Sequence, residues 1–421
     1  MVIRDPIHGD IDLTAEEARV LDTREMQRLR GIKQLGTAYL VYPGCTHTRF
    51  DHSLGTLAAA SRILAHLGRS GFDIPAADAA LVRMAALVHD VTHVPFGHTF
   101  EDEREIFPRH DDGHRTEAFF GDRSELGQVL KALGLRDGVL DLLSGRGPSP
   151  WMAEVVSSTV DADLLDYLRR DAYFAGLRRD YDDRIFSYFT LDGGHLVMNM
   201  LRHGLERPDA RSEIVHLLHL RYFLTERVYL HHTKIAAGAM IAKAVEIGTR
   251  TWLTEERLYT LTDEQFLDLL AGFPDPDVQE LAARLRARRL YKRAYVLSGQ
   301  SLGAQQAQII QRFSGPTREH TQLEEAIARR ARVRPAEVIL YCPRASYIKE
   351  AQVPVRTRQG VQPLAGLDSP LSGDVGALAR QYADLWRLYV FAPPERVEVV
   401  RTAAREVFGL PSEYAGKAAA V

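Results

Sequence analysis

Seven histidines, His47, His52, His89, His93, His98, His110 and His114, fall in one early stretch of the chain, interleaved with Asp51, Asp90, Asp111 and Asp112. Imidazole and carboxylate are the side chains that together suit a divalent transition metal. The densest unit is Leu87 to His98, LVHDVTHVPFGH, where an apolar helix (LVRMAALV) runs straight into the His89–Asp90 pair. Carrying two ionisable groups to the end of a buried helix costs roughly several kcal/mol unless each finds a partner. A metal is such a partner for both. His93 follows His89 by one helical turn and shares its face if the helix persists that far. The plainer alternative is a core histidine hydrogen-bonded by Asp90; His52, His93 and His98 close by weigh against it.

A second group matches the first. Along Asp161 to Asp171, DADLLDYLRRD, the residues Asp163, Tyr167 and Asp171 recur at four-residue steps and line one helical face, while Leu164, Leu165 and Leu168 turn toward packing. A solvated charged face is the alternative there.

These groups need a helical frame, and the hydrophobic pattern supplies one. Leu57 to Leu67, Ala79 to Val88 and Glu154 to Leu168 carry apolar residues at three- and four-residue spacing. Strand signals are few: Gly194 to Met198 suits a hairpin, and Glu337 to Tyr341 and Arg387 to Phe391 suit buried strands. The fold class expected is mainly α, with a helical core over residues 1–325 and a smaller C-terminal α+β lobe over 326–421. Within that lobe the Gly/Pro-containing stretch from Arg356 to Gly376 is expected to be a surface loop. The chain has 421 residues, and Lys+Arg 53 against Asp+Glu 56 leaves a net charge of −3, which argues against strong non-specific nucleic-acid binding. Two cysteines, Cys45 and Cys342, make no disulfide framework and suit a reducing compartment. The acidic, Pro-interrupted N-terminus is not a signal peptide, and no apolar run approaches the roughly 20 residues that span a bilayer. A cytoplasmic protein with no membrane association is expected.

The ordered motifs DPIHGDIDL from Asp5, DTREMQRLRGIKQLG from Asp22, HTRFDHSLG from His47, LVHDVTHVPFGHTFE from Leu87 and DADLLDYLRRD from Asp161 resemble the HD-domain superfamily. Within it they are most similar to the deoxynucleoside triphosphate triphosphohydrolases of the SAM-and-HD-domain type. RYFLTERVYLHH from Arg221 and ARRLYK from Ala287 extend the likeness more loosely. No SAM domain is expected ahead of the core, since the chain begins almost at the first motif.

The resemblance implies His52, His89, Asp90 and Asp163 as ligands of one divalent metal, Mn, Fe or Ni, with Mg on the substrate phosphates. It implies His98 as the general acid, Glu101 (where the family commonly has Asp) as the group holding its imidazole, and His93 and Arg49 as phosphate contacts. A further catalytic histidine maps to His110 or His114, with His110 the first choice. Gln34, Leu35, Tyr167, Asp171, Arg221 and Tyr229 are implied as the sugar and phosphate wall. The reaction implied is hydrolysis of a deoxynucleoside triphosphate to deoxynucleoside and inorganic triphosphate.

The chain departs from the pattern in places. Leu164 stands where activated members carry Lys against the distal phosphates, and Leu230 stands where Gln commonly follows the wall tyrosine. Asp22, Gln27 and Arg30 match a guanine-binding regulatory element, and Arg288 and Lys292 a neighbouring basic one. Met1, however, replaces an expected basic residue, and no later Arg/Lys pair is found near Leu196 to His203. A regulatory nucleotide and a homo-oligomer follow from the likeness; a solvated basic helix is the alternative for ARLRARRLYKR. The competing functions are an HD-type nucleotide phosphatase, a phosphodiesterase, and a non-catalytic nucleotide sensor.

Overall fold

The structure is a computed structural model that describes residues 1–101, 104–345, 352–366 and 370–414. The chain opens with a hairpin, β1 (Val2–Asp5) and β2 (Gly9–Asp12), pairing Arg4 with Asp10 and Asp5 with Gly9. Asp5 ties the turn, its Oδ1 accepting the N–H groups of Ile7 and His8 at 2.8 Å each.

Two helices then build the frame of the site, α1 (Arg49–Arg69) and α2 (Ala76–Val88). A reciprocal cap starts α1: the Thr48 hydroxyl accepts the Asp51 N–H at 3.3 Å, and Asp51 accepts the Thr48 N–H at 2.8 Å. The helix α2 stops at Val88, with His89 as its cap residue. The helix does not persist to His93, so the condition for His89 and His93 to share one helical face is not met. Pro95 disfavours helical backbone at Val94, and Phe96 and Gly97 take left-handed φ of 59° and 46°, so the segment turns sharply back. The periodic stretch Glu154 to Leu168 also divides. A short helix ends at Val156, and Asp161 caps α3 (Ala162–Phe174) by accepting the Leu164 N–H at 2.7 Å. Apolar faces of α2 and α3 pack on α1, which buries Leu54, Leu57, Ile63, Leu87, Leu165 and Leu168 in one core.

The body continues through the hairpin β3 (Phe189–Asp192) and β4 (His195–Asn199), then α4 (Pro208–Leu224), α5 (His232–Thr249) and α6 (Asp263–Ala271). A second sheet uses β5 (Lys292–Ser298), is followed by α7 (Arg318–Ala331), and adds β6 (Ile339–Tyr341). The division expected after residue 325 falls inside α7. The stretch Arg356 to Gly376 is not a loop. It contains the hairpin β7 (Pro354–Thr357) and β8 (Gly360–Pro363) and the start of α8 (Pro370–Ala383), with 367–369 outside the described residues. β7 pairs in parallel with β4, Met198 opposite Val355, and Val355, Leu364, Leu378 and Tyr382 join the core of the body. The last strand, β9 (Arg387–Ala392), lies between β5 and β6, and α9 (Val397–Phe408) covers that sheet together with α7. The protein is thus mainly helical with a smaller α+β lobe. Among the described residues no helix is long and apolar enough to cross a membrane.

Candidate metal and catalytic site

The end of α2, the first turns of α1 and the start of α3 meet at one point. There the ligand atoms of His52, His89 and Asp163 lie within 4.8 Å of one another. His52 Nε2 is 2.8 Å from Asp163 Oδ1, and His89 Nε2 is 3.7 Å from the same oxygen. Two metal–ligand bonds of roughly 2.1 Å span at most about 4.2 Å, so one ion can reach all of these pairs. The His89 Nδ1 donates to the Ala86 carbonyl at 2.9 Å, which leaves the Nε2 lone pair facing inward. That Nε2 is buried and has no hydrogen-bond partner. Burial alone would lower the pKa of His52, yet the bonds to Asp163 and Asp166 outweigh it and lift the imidazole to about 10. The pocket therefore calls for positive charge, and the donor set fits a divalent metal.

Asp90 stands one step aside. Its oxygens lie 4.0 Å from His52 Nε2 and 3.9 Å from His89 Nε2, and they are taken by Arg49 Nη1 at 2.6 Å and His93 Nδ1 at 2.9 Å. Against the burial that would raise it, Arg49 and His93 hold the Asp90 carboxyl well below the usual range. Arg49 is itself buried, and the positive-φ Gly97 passes directly above it: a Cβ there would lie 2.5 Å from Arg49 Nη2.

A second group of imidazoles adjoins the first. The rings of His93 and His110 lie with centroids 3.6 Å apart and planes tilted by 32°, and His98 stands 5.0 and 5.3 Å from them. Burial first, and the Arg49 guanidinium next, push the His93 imidazole well below its ordinary value, so it stands neutral with Nε2 unpartnered. The His98 side chain is 47% exposed, the most open of the cluster. Glu101 was expected to hold His98, but it lies 3.7 Å from His98 Nδ1 and makes its hydrogen bond with His110 Nδ1, at 2.8 Å. Arg115, fully buried, donates to the other Glu101 oxygen at 3.0 Å. The extra methylene of Glu lets the carboxylate reach past His98 to His110. His114 is directed elsewhere, to Glu255 at 2.9 Å and to Asp112.

Beyond the metal pocket, Asp171 is 2% exposed and accepts from His47 Nε2 at 2.8 Å and from the Tyr229 hydroxyl at 2.7 Å. Arg221 donates to the Tyr167 hydroxyl. Gln34 donates its N–H to the His47 carbonyl at 3.0 Å, and its buried Oε1 has no partner. Leu35 follows at the edge of the core. His47, which the motif reading had not assigned, thus links Asp171 and Tyr229 to Gln34, while Arg221 and Tyr167 pair with each other. Leu164 is 4% exposed and packs in the core. Of the regulatory residues, Asp22 is exposed, Gln27 accepts from Arg30 at 2.8 Å, and the Arg30 guanidinium sits 3.5 Å over the Phe50 ring. Arg288 donates to the Leu40 carbonyl at 2.8 Å, and Lys292 opens β5, exposed.

Comparison with known proteins agrees with this geometry. The HD domain family matches residues 49–143, and the HD associated region matches 212–419. An uncharacterized protein of Methanocaldococcus jannaschii is 30% identical over 411 residues, covering 95% of this chain and 81% of that protein. The deoxynucleoside triphosphate triphosphohydrolase SAMHD1 of Homo sapiens is 30% identical over 343 residues, 69% of this chain; the chain spans 54% of its length. A crystal structure of a phosphohydrolase from Bacteroides thetaiotaomicron shares the fold with a TM-score of 0.69 at 20% identity, covering 93% of this chain and 99% of that one. A hypothetical protein from Aquifex aeolicus superposes with a TM-score of 0.70 at 22% identity, over 96% and 99% of the two chains. The class the fold and site define is the metal-dependent phosphohydrolase. The chain belongs to the HD-domain family and is related, at moderate identity, to the SAMHD1 triphosphohydrolases.

Proposed function

We propose that the protein hydrolyses a deoxynucleoside triphosphate to the deoxynucleoside and inorganic triphosphate. The observation that carries this reading is the convergence of His52, His89 and Asp163 on one point beside the Arg49–Asp90 pair and the imidazoles of His93, His98 and His110. His52, His89 and Asp163, with Asp90 beside them, would hold a divalent metal, which would supply Lewis acidity toward a phosphate oxygen and an activated water. Arg49 neutralises charge that builds on the phosphate in the transition state. His93, oriented by Asp90 through Nδ1, lines the pocket beside the phosphate next to the bond that breaks. His98, the most exposed imidazole of its cluster, reaches the leaving 5′-oxygen and gives it a proton. Glu101 acts on His110, fixing that ring against His93. Tyr167, Asp171, Tyr229, Arg221, Gln34 and Leu35 enclose the sugar, where a 2′-hydroxyl is crowded.

One observation favours a second reading. Leu164 packs in the core where related enzymes place a cation, so the distal phosphates lack that contact, and a phosphatase acting from the distal end is the rival. Product analysis separates the two. Protein reconstituted with Mn is incubated with each deoxynucleoside triphosphate, with and without GTP. Deoxynucleoside with intact triphosphate is the expected outcome; inorganic phosphate with a mono- or diphosphate would favour the rival. A GTP requirement would support Asp22, Gln27, Arg30, Arg288 and Lys292 as a regulatory site in a homo-oligomer.

A further inference from the structure

The motif DPIHGD has no role in the chemistry above, yet its side chains run into the metal pocket. His52 faces that pocket through Nε2, while its Nδ1 lies 2.7 Å from Asp166 Oδ2. An ionised carboxylate only accepts hydrogen bonds, so Nδ1 carries a proton, and Nε2 is the nitrogen left to offer a lone pair when a metal takes the place of its proton. Asp166 is fully buried. Its other oxygen accepts from His8 Nε2 at 2.7 Å, and Arg170 donates to both oxygens, Nε at 2.8 Å and Nη2 at 2.9 Å. Four donors thus occupy the four lone-pair positions of one carboxylate. Arg170 Nη1 continues to Asp5 Oδ2 at 2.9 Å. Asp5 in turn closes the hairpin turn that carries His8.

The approach of α1 to α3 is shaped around this carboxylate. A Cβ at Gly55 would lie 1.9 Å from Asp166 Oδ1 and 2.4 Å from Arg170 Nη2. An i,i+4 ion pair between Asp166 and Arg170 would be complete without either imidazole. The network adds both, each through an N–H, and one of them ends at the metal pocket.

We propose that Asp166, braced by His8 and Arg170, is the positioning residue that sets the tautomer, orientation and basicity of His52, so that the N-terminal hairpin forms the outer wall of the metal centre. This rests on the reading of His52 as a metal ligand. Carboxylates that hold a metal-ligating histidine from behind typically matter about 10- to 100-fold in metal affinity.

The test is Mn²⁺ affinity of the metal-stripped full chain, followed through the EPR signal of free Mn²⁺, with the melting temperature of the apoprotein measured beside it. His52→Ala abolishes binding if His52 is a ligand; binding as in wild type overturns the metal-site reading itself. Given that loss, Asp166→Asn is expected to weaken Mn²⁺ binding about 10- to 100-fold. His8→Ala is expected to weaken it less, and His8→Gln, which restores an N–H donor to Asp166, to recover it. If Asp166→Asn fails to fold, the His8 pair decides. Lowered apoprotein stability with Mn²⁺ affinity unchanged in the Asp166 and His8 variants would reduce the network to scaffold and overturn the proposal.

Discussion

Where His52, His89 and Asp163 meet, two imidazole nitrogens and a carboxylate oxygen face one another, with His89 Nε2 and the nearby His93 Nε2 left without hydrogen bonds. At Glu324, in the joint between the body and the C-terminal lobe, the opposite holds. Glu324 is 1% exposed and each of its oxygens meets a cation, Oε2 the Lys243 ammonium at 2.6 Å and Oε1 the Arg104 guanidinium, while the Leu340 N–H adds a bond at 2.8 Å. Arg104 also pairs with Glu246. Both places are rich in ionisable groups. Only the first brings ligand atoms to a common point with one of them, His89 Nε2, unpartnered, and this separates a pocket prepared for a ligand from a joint that is complete in itself.

The contrast can be broken by mutation. His98→Ala removes the proton donor, so kcat should fall about 10²- to 10⁴-fold with Mn²⁺ affinity and melting temperature unchanged. A smaller fall, or loss of metal with it, would move the general acid elsewhere. Glu324→Gln should do the reverse, costing up to about 3–5 kcal/mol of stability by leaving buried Arg104 and Lys243 to share the single carboxylate of Glu246. The Mn²⁺ affinity should stay as in wild type; urea titration and EPR give the two readings.

The same joint has a signed pH dependence. Burial would raise the Glu324 carboxyl, but Arg104 and then Lys243 hold it well below its usual value of 4.5. A depressed acid contributes stability that is present above the unfolded value and is lost as pH falls. The stability gap between wild type and Glu324→Gln should therefore be full at neutral pH and shrink below about 4.5. A gap that widens in acid would contradict the assignment. In the metal pocket, free Mn²⁺ a hundredfold above its Kd should stabilise wild type by about 2.7 kcal/mol and leave His52→Ala unmoved in a thermal melt.

Smallest of all should be Asp263→Asn. Asp263, fully buried, accepts the Lys33 N–H and the Phe96 N–H at 2.9 Å each, so it ties the segment before Gln34 to the turn carrying His98. Losing one acceptor costs about 1–3 kcal/mol, and steady-state kinetics should show KM rising with it; an unchanged KM would leave Asp263 as a stability element alone.

Local patterns carried most of what the sequence revealed. The run of LVRMAALV into His89–Asp90 and the four-residue steps of α3 are short-range signals that single out His89, Asp90 and Asp163; His52 and the joint ligand set came from the resemblance. Asp166 and Arg170 lay in the same motif but on another face. Their signal, a charged i,i+4 pair among Leu164, Leu165 and Leu168, is ambiguous with an ordinary surface ion pair. Glu101 was placed on His98 by the resemblance, where Asp is common; the longer Glu arm makes its hydrogen bond with His110 and stays 3.7 Å from His98. The hairpin at Pro354–Pro363 was hidden by its own prolines and glycine, and its pairing with Met198 joins positions too far apart for any local period to report. Pro354 stands at the first residue of its strand, where a missing N–H is tolerated.

The central claim is that the acceptors of His52, His89 and Asp163, with Asp90 beside them, hold one catalytic metal. A crystal structure of the Mn-soaked protein, with anomalous data at the Mn edge, tests it most directly. The predicted result is a single strong peak roughly 2.0–2.3 Å from His52 Nε2, His89 Nε2 and Asp163, with Asp90 turned from Arg49 to join them. No peak there, or a peak held by His93, His98 and His110 instead, would contradict the account.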